Sequence, residues 1–146
     1  MTERTARADD THDLARFIIA QESIYSQALR ELIAGRKHSH WMWFIFPQIE
    51  GLGRSATARH YAISGRAEAQ AYAAHPLLGP RLLECTQAML THAGRSAQEI
   101  LGSPDDLKFR SSMTLFAAVS EKGSPFERAL DRFCDGRPDG ETLARL

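Results

Sequence analysis

The sequence predicts an all-α fold, a single irregular bundle of about seven to nine short helices. Two observations lead there. Apolar residues recur at helical spacing along most of the chain, and Ser, Asp, Pro and Gly interrupt them where helix caps and stops belong. Convincing strand alternation does not recur, and a lone strand in a helical chain would have no partner to bond with.

The first ten residues, MTERTARADD, are polar and charged and are expected to be flexible. One domain then spans 11–146, with no repeat, low-complexity tract or linker dividing it. THDLARFIIAQESIYSQALRELIAG places apolar residues at 14, 17, 18, 25, 28, 29 and 32, with Gly35 as a stop; it is one long helix or two broken near Glu22-Ser23. In HSHWMWFIFPQ, residues 38–48, the aromatic and branched residues favour a strand. Ser39 as a cap and Pro47 as a stop make a short buried helix the better reading. Ser55 caps a helix through about Ile63, RAEAQAYAAH forms the next, and Pro76 restarts a helix that ends at Gly94. Ser96 with Glu99, and Ser103 with Asp106, read as capping boxes. Ser124-Pro125 is an N-cap followed by proline at the first helical position, Gly136 ends that helix, and a last one starts at Asp139.

A chain of 146 residues, 43% hydrophobic and 25% charged, can build one core without metal or disulfide staples. Basic and acidic residues balance at 18 each, which argues against non-specific nucleic-acid binding. Residues 36–66 depart from that balance. Arg36, Lys37, Arg54, Arg59 and Arg66 face only Glu50, a local net charge of +4 that points to an anionic ligand. Cys85 and Cys134 lie in apolar helical patterns and are expected as reduced, buried thiols. No apolar run approaches the about 20 residues of a membrane span, and the N-terminus has no secretory core, so a soluble, cytoplasmic protein is expected.

Three segments could carry chemistry. In HSHWMWFIFPQ, a helix starting near Ser39 puts His40, Trp43, Phe44 and Pro47 on one side. His40 is then either a core histidine under an aromatic plug or a proton-transfer group. His38 and His40 make a poor metal pair, since residues two apart share a face only on a strand, and no metal is expected. In EGLGRSATARHY, Gly51 and Gly53 free the backbone, and Arg54 and Ser55 open a helix whose first N–H groups could receive an anion. The loop is neither a Walker nor a Rossmann loop, and a plain glycine turn with a serine cap explains it equally.

The third segment is GSPDDLKFRSSMTLFAAVS, residues 102–120. Asp105, Lys108, Ser112, Leu115 and Val119 form one stripe that turns inward. An inward Lys108 must be paired, neutralised or in contact with a ligand. Asp105 suffices as a structural partner; the alternative is a lysine that grips an anion or acts as a base, with Ser111 or Ser112 as donor or nucleophile.

The segments GRKHSHWMWFIFPQIEGLGRSATARHYAI and GSPDDLKFRSSMTLFAAV resemble a family of small bacterial and fungal proteins known as domain of unknown function number eighteen-ten, sometimes labelled calpastatin-like. The resemblance runs from Asp13 to the C-terminus. It rests on Lys37, Ser39 to Gln48, the Gly-Leu-Gly and Ser55 of the loop with Tyr61, Ala62 and Ile63 after it, and Ser103, Asp105 and Lys108 with Ser111 to Phe116. It implies a compact, mostly helical domain and brings no activity, cofactor or catalytic residue. The chain has no repeats and no TIPP motif, so nothing supports the calpastatin label.

Together these readings predict a binding protein for a small phosphorylated or nucleotide-like anion, without a cofactor, with hydrolysis as the reaction class to try first. Lys37, Trp41, Trp43, Gln48, Gly53, Arg54, Ser55 and Ser111 would line the site, and His40, Lys108 and Ser112 would carry chemistry. The alternative is a non-catalytic interaction module in which the same residues stitch a core. A site requires Lys37, His40, Arg54 and Lys108 to converge on an open cavity with at least one face of a tryptophan exposed; scattered side chains, or Lys108 sealed against Asp105 with no cavity, would count against it.

Overall fold

The structure, a computed structural model, describes residues 10–146. The expected flexible terminus, apart from Asp10, lies outside the described residues. Among the described residues ten helices follow in order: α1 (Ala15–Glu22), α2 (Tyr25–Ala34), α3 (Met42–Ile45), α4 (Ala56–His60), α5 (Arg66–Ala74), α6 (Leu78–Leu90), α7 (Ala97–Leu101), α8 (Asp105–Ala118), α9 (Pro125–Cys134) and α10 (Gly140–Ala144). The fold is all-α, as the sequence predicts, and α3, α4, α7 and α10 are single turns.

Local chemistry sets most boundaries. The first apolar stretch breaks into α1 and α2 at Ser23-Ile24, and Gly35 closes α2 in the left-handed region at φ 77°. Ser55, Ser124 and Asp139 cap α4, α9 and α10 through their side chains, and Ser96 with Glu99 forms the full capping box of α7. Two expected caps fail. Pro104 takes the N-cap position of α8, with no side-chain cap bond, so Ser103 and Asp106 do not form a box. Ser39 does not cap α3 either; Trp41 holds that position, and the Ser39 hydroxyl is spent on Glu31. Helix α4 ends at His60 rather than near Ile63. Ile63 instead pairs with Ile49 in an isolated parallel bridge, Ile63 N–H donating to Gln48 O (2.9 Å) and Glu50 N–H to Ile63 O (2.8 Å).

Helix α8 is the axle of the domain, packed against α3, α5, α7, α9 and α10. Phe109 and the run from Ser111 to Phe116 are all buried, so the helix is enclosed rather than one-sided. The single inward stripe expected from the sequence is therefore only part of its buried surface. Around it the aromatic rings touch in sequence: Phe46 meets Phe109 edge-on (4.9 Å), Tyr72 meets Phe116 (5.4 Å) and Phe17 meets Tyr72 edge-on (5.0 Å). Arg16 ties α1 to the segment after α4, donating to the carbonyls of His60 (2.8 Å) and Ala62 (2.8 Å) and to Glu68 (2.7 Å).

The link from α2 to α3 is organised by Glu31, which the sequence reading passed over. Its carboxylate accepts from the backbone N–H of His38 (2.8 Å) and Ser39 (2.9 Å), the Ser39 hydroxyl (2.7 Å) and the Trp41 indole N–H (2.9 Å). Burial alone would raise its pKa, but the donors of Ser39, His38 and Trp41 outweigh it and hold the group at about 2.

Because the folded value lies below the unfolded one, the carboxylate's contribution is complete above about pH 4.5 and is lost as pH falls toward 2. Glu31→Gln should cost about 3 kcal/mol at pH 7 in urea unfolding and flatten the acid limb of the stability profile. Removing the cap in Ser96→Ala should cost about 1 kcal/mol, whereas Ser103→Ala should stay within about 0.5 kcal/mol of the parent in the same assay.

Candidate functional site

Lys37 follows α2 and Lys108 stands one turn into α8, and the packing of α3 on α8 brings them to the same carboxylate. Lys37 Nζ lies 2.9 Å from Asp105 Oδ2, and Lys108 Nζ lies 3.8 Å from Asp105 Oδ1. The sequence pairs Asp105 with Lys108 alone; the closer partner comes from 68 positions away, beyond the reach of spacing arguments. Each ammonium also sits by a tryptophan, Lys37 at 5.1 Å from the Trp41 ring and Lys108 at 5.5 Å from the Trp43 ring. The two differ in access: the Lys37 side chain is 8% exposed and that of Lys108 is 30% exposed. Two positive groups share one negative one, a surplus of one positive charge at the edge of α8.

Trp43 is half-buried and continues this surface into a narrow cleft of about 10 Å³, room for a single water, shared with Gln48, Gly53, Ala58 and Tyr61. Gly53 is required there because a Cβ would stand 2.5 Å from that of Ala58. Tyr61, which the sequence matched to the family without giving it a role, packs on Phe44 at 5.3 Å and closes the cleft.

The other expected residues lie apart. Trp41 is fully buried and its indole N–H is bound to Glu31, so it cannot stack on a ligand; of the two tryptophans only Trp43 can. Ser112 is fully buried, and its hydroxyl has no hydrogen-bond partner, so it is closed to substrate as a nucleophile. The Ser111 hydroxyl lies 3.1 Å from the Asp139 carboxylate and 3.2 Å from the Leu107 carbonyl, engaged in docking α10 on α8. His40 and Arg54 are exposed, and among the described residues no hydrogen bond or ion pair joins them to the lysines. Ser55 is an exposed cap, accepting from Ala58 N–H at 3.1 Å. The four-way convergence set as the requirement for a site is thus met by Lys37 and Lys108 only.

Burial works against both thiols as nucleophiles. Burial pushes Cys85 up to about 12, and it raises Cys134 as well. Cys134 is half-buried rather than buried. Among the described residues no three His, Cys, Asp or Glu side chains gather to hold a metal ion, and no helix is long and apolar enough to cross a membrane.

With this geometry in view, comparison with known proteins is informative about kinship. The crystal structure of the conserved hypothetical protein Rv1873 from Mycobacterium tuberculosis is similar to this chain, with 51% sequence identity, a TM-score of 0.92, and coverage of 94% of this chain and 98% of that one. No curated protein matches the chain. The family expected from the sequence is the one that matches: the chain belongs to the family described as protein of unknown function (DUF1810), whose model matches residues 11–146.

Proposed function

We propose that the protein binds a small phosphorylated or nucleotide-like anion on the exposed side of Trp43, at a reduced form of the expected site that keeps Lys37 and Lys108 without His40 and Arg54, with Lys108 as the group that holds the anion. The observation that carries this reading is the sharing of Asp105 between two lysines beside a half-exposed indole. The tightly held partner, Lys37, largely neutralises Asp105, which leaves the more exposed Lys108 free to turn to a ligand. A flat ring on Trp43 with an anionic tail at Lys108 uses both features. Gln48 and Gly53 border the same face, and Arg54 follows directly in the chain.

Binding is the stronger form of this reading and hydrolysis the weaker. Ser112 is sealed in the core, and no hydrogen bond orients the His40 ring. The second reading, a non-catalytic interaction module in a cytoplasmic setting, is favoured by one observation: Lys37, Ser39 and Trp41 spend their polar atoms inside the protein.

A thermal-shift panel of adenine nucleotides, ADP-ribose and sugar phosphates separates the two. At about 100 times Kd a ligand should raise Tm by about 5–10 °C; no shift across the panel would sink the binding reading. Lys108→Ala should abolish the shift while costing less than about 1 kcal/mol of stability, since its ion pair is long and partly exposed. Ligand contact should quench the emission of Trp43 and leave that of buried Trp41, so Trp43→Phe should remove the fluorescence response.

A further inference from the structure

A second cleft lies between α7, the first turns of α8 and the end of α9. Its volume is about 360 Å³, within the range of small-molecule sites. None of the residues of the Trp43 surface lines it. Its charged wall consists of two carboxylates, Asp106 and Asp135, and two guanidinium groups, Arg110 and Arg137, with Phe133 and Leu107 as apolar surface.

Asp106 and Arg110 are one turn apart on α8, the spacing at which opposite charges ordinarily meet. They form no ion pair here. Arg110 directs Nε to the carbonyl of Arg137 (2.8 Å) and Nη2 to that of Pro138 (3.0 Å), which ties the end of α9 to α8. Asp106 forms no ion pair or side-chain hydrogen bond among the described residues; its Oδ1 is shut off from solvent, so what enters the cleft meets Oδ2.

The balance of charge narrows what the cleft can take. A simple anion would be opposed by the two carboxylates, and a simple cation by the two guanidinium groups. A molecule that carries one charge of each sign is opposed by neither, and its uncharged remainder would meet Phe133 and Leu107. We propose that this cleft binds a free α-amino acid with an apolar side chain. Its ammonium would lie on Asp106, its carboxylate would face Arg137 and the N–H groups of Arg110 not spent on carbonyls, and its side chain would rest on Phe133.

The test is a titration of the ¹⁵N-labelled full chain with L-phenylalanine, L-leucine and L-methionine to about 10 mM, a concentration that detects even weak sites. Saturable amide shifts confined to Gln98, Asp106, Arg110 and residues 133–137 are expected with at least one of them. Phenethylamine and 3-phenylpropionate, which each lack one of the two charges, should bind about tenfold more weakly than L-phenylalanine. Asp106→Asn should lose the saturable shifts with its remaining spectrum unchanged. If that variant does not fold, Arg137→Gln, at an exposed position, should weaken binding about tenfold. No saturable shift with any of the three amino acids, equal binding by the single-charge analogues, or unchanged affinity in the variants would overturn the proposal.

Discussion

The segment between α2 and α3 forms neither helix nor sheet, so its backbone donors need acceptors from elsewhere, and Glu31 supplies them. A carboxylate that accepts two main-chain N–H groups, a hydroxyl and an indole is held as an ion despite burial. Its geometry fixes where Trp41 enters the core. Trp41 in turn sets the start of α3, and α3 brings Phe46 against Phe109 of α8. Lys37 lies just before this turn, with its own N–H given to Ile100 at 2.8 Å. The placement of Lys37 over Asp105 thus depends on an acid that touches neither of them.

Helix α8 is the other organiser, and it works by enclosure. Buried along Phe109 to Phe116 apart from Arg110, it presents hydroxyls on several sides, each with a different fate. Ser111 meets the cap of α10, Thr114 accepts the Asp139 N–H while bonding the Arg110 carbonyl, and Ser112 is left without a partner. A central helix of this kind can join distant parts of the chain at its exposed first turn, where Asp105 gathers both lysines, while the rest serves packing.

Much of this fold can be read from local chemistry, because caps and stops act over three or four residues. Ser55, Ser96, Ser124, Asp139 and Gly35 all behave as their residue types suggest. Ser39 and Ser103 have the same chemistry and fail for reasons outside the local window: a distant carboxylate claims one, and the cap position of α8 falls to Pro104. Helical periodicity identifies one buried side well, and it placed Ser112 there correctly, but it cannot announce a helix buried all round or tell a serine lining a site from one sealed in the core. The inward turn of Lys108 was legible, and its meeting with Lys37 was not. Glu31 was hidden for the same reason, since its partners sit seven to ten residues on, in chain with no periodic pattern.

The bridge between Ile49 and Ile63 has a consequence of its own. It closes the intervening loop with main-chain bonds, while Ile49 and Ile63 fill the core beneath. The tip, Arg54 to Thr57, is exposed throughout and contributes nothing to that closure. The loop is therefore an exchangeable cassette: its ends are specified by the core, and its crest, apart from the Ser55 cap of α4, can change in charge and shape without disturbing the body that carries it. Since Gly53 and Ala58, the two residues that flank that crest, share the cleft beside Trp43, the loop anchors that surface at its base and leaves its tip free to vary.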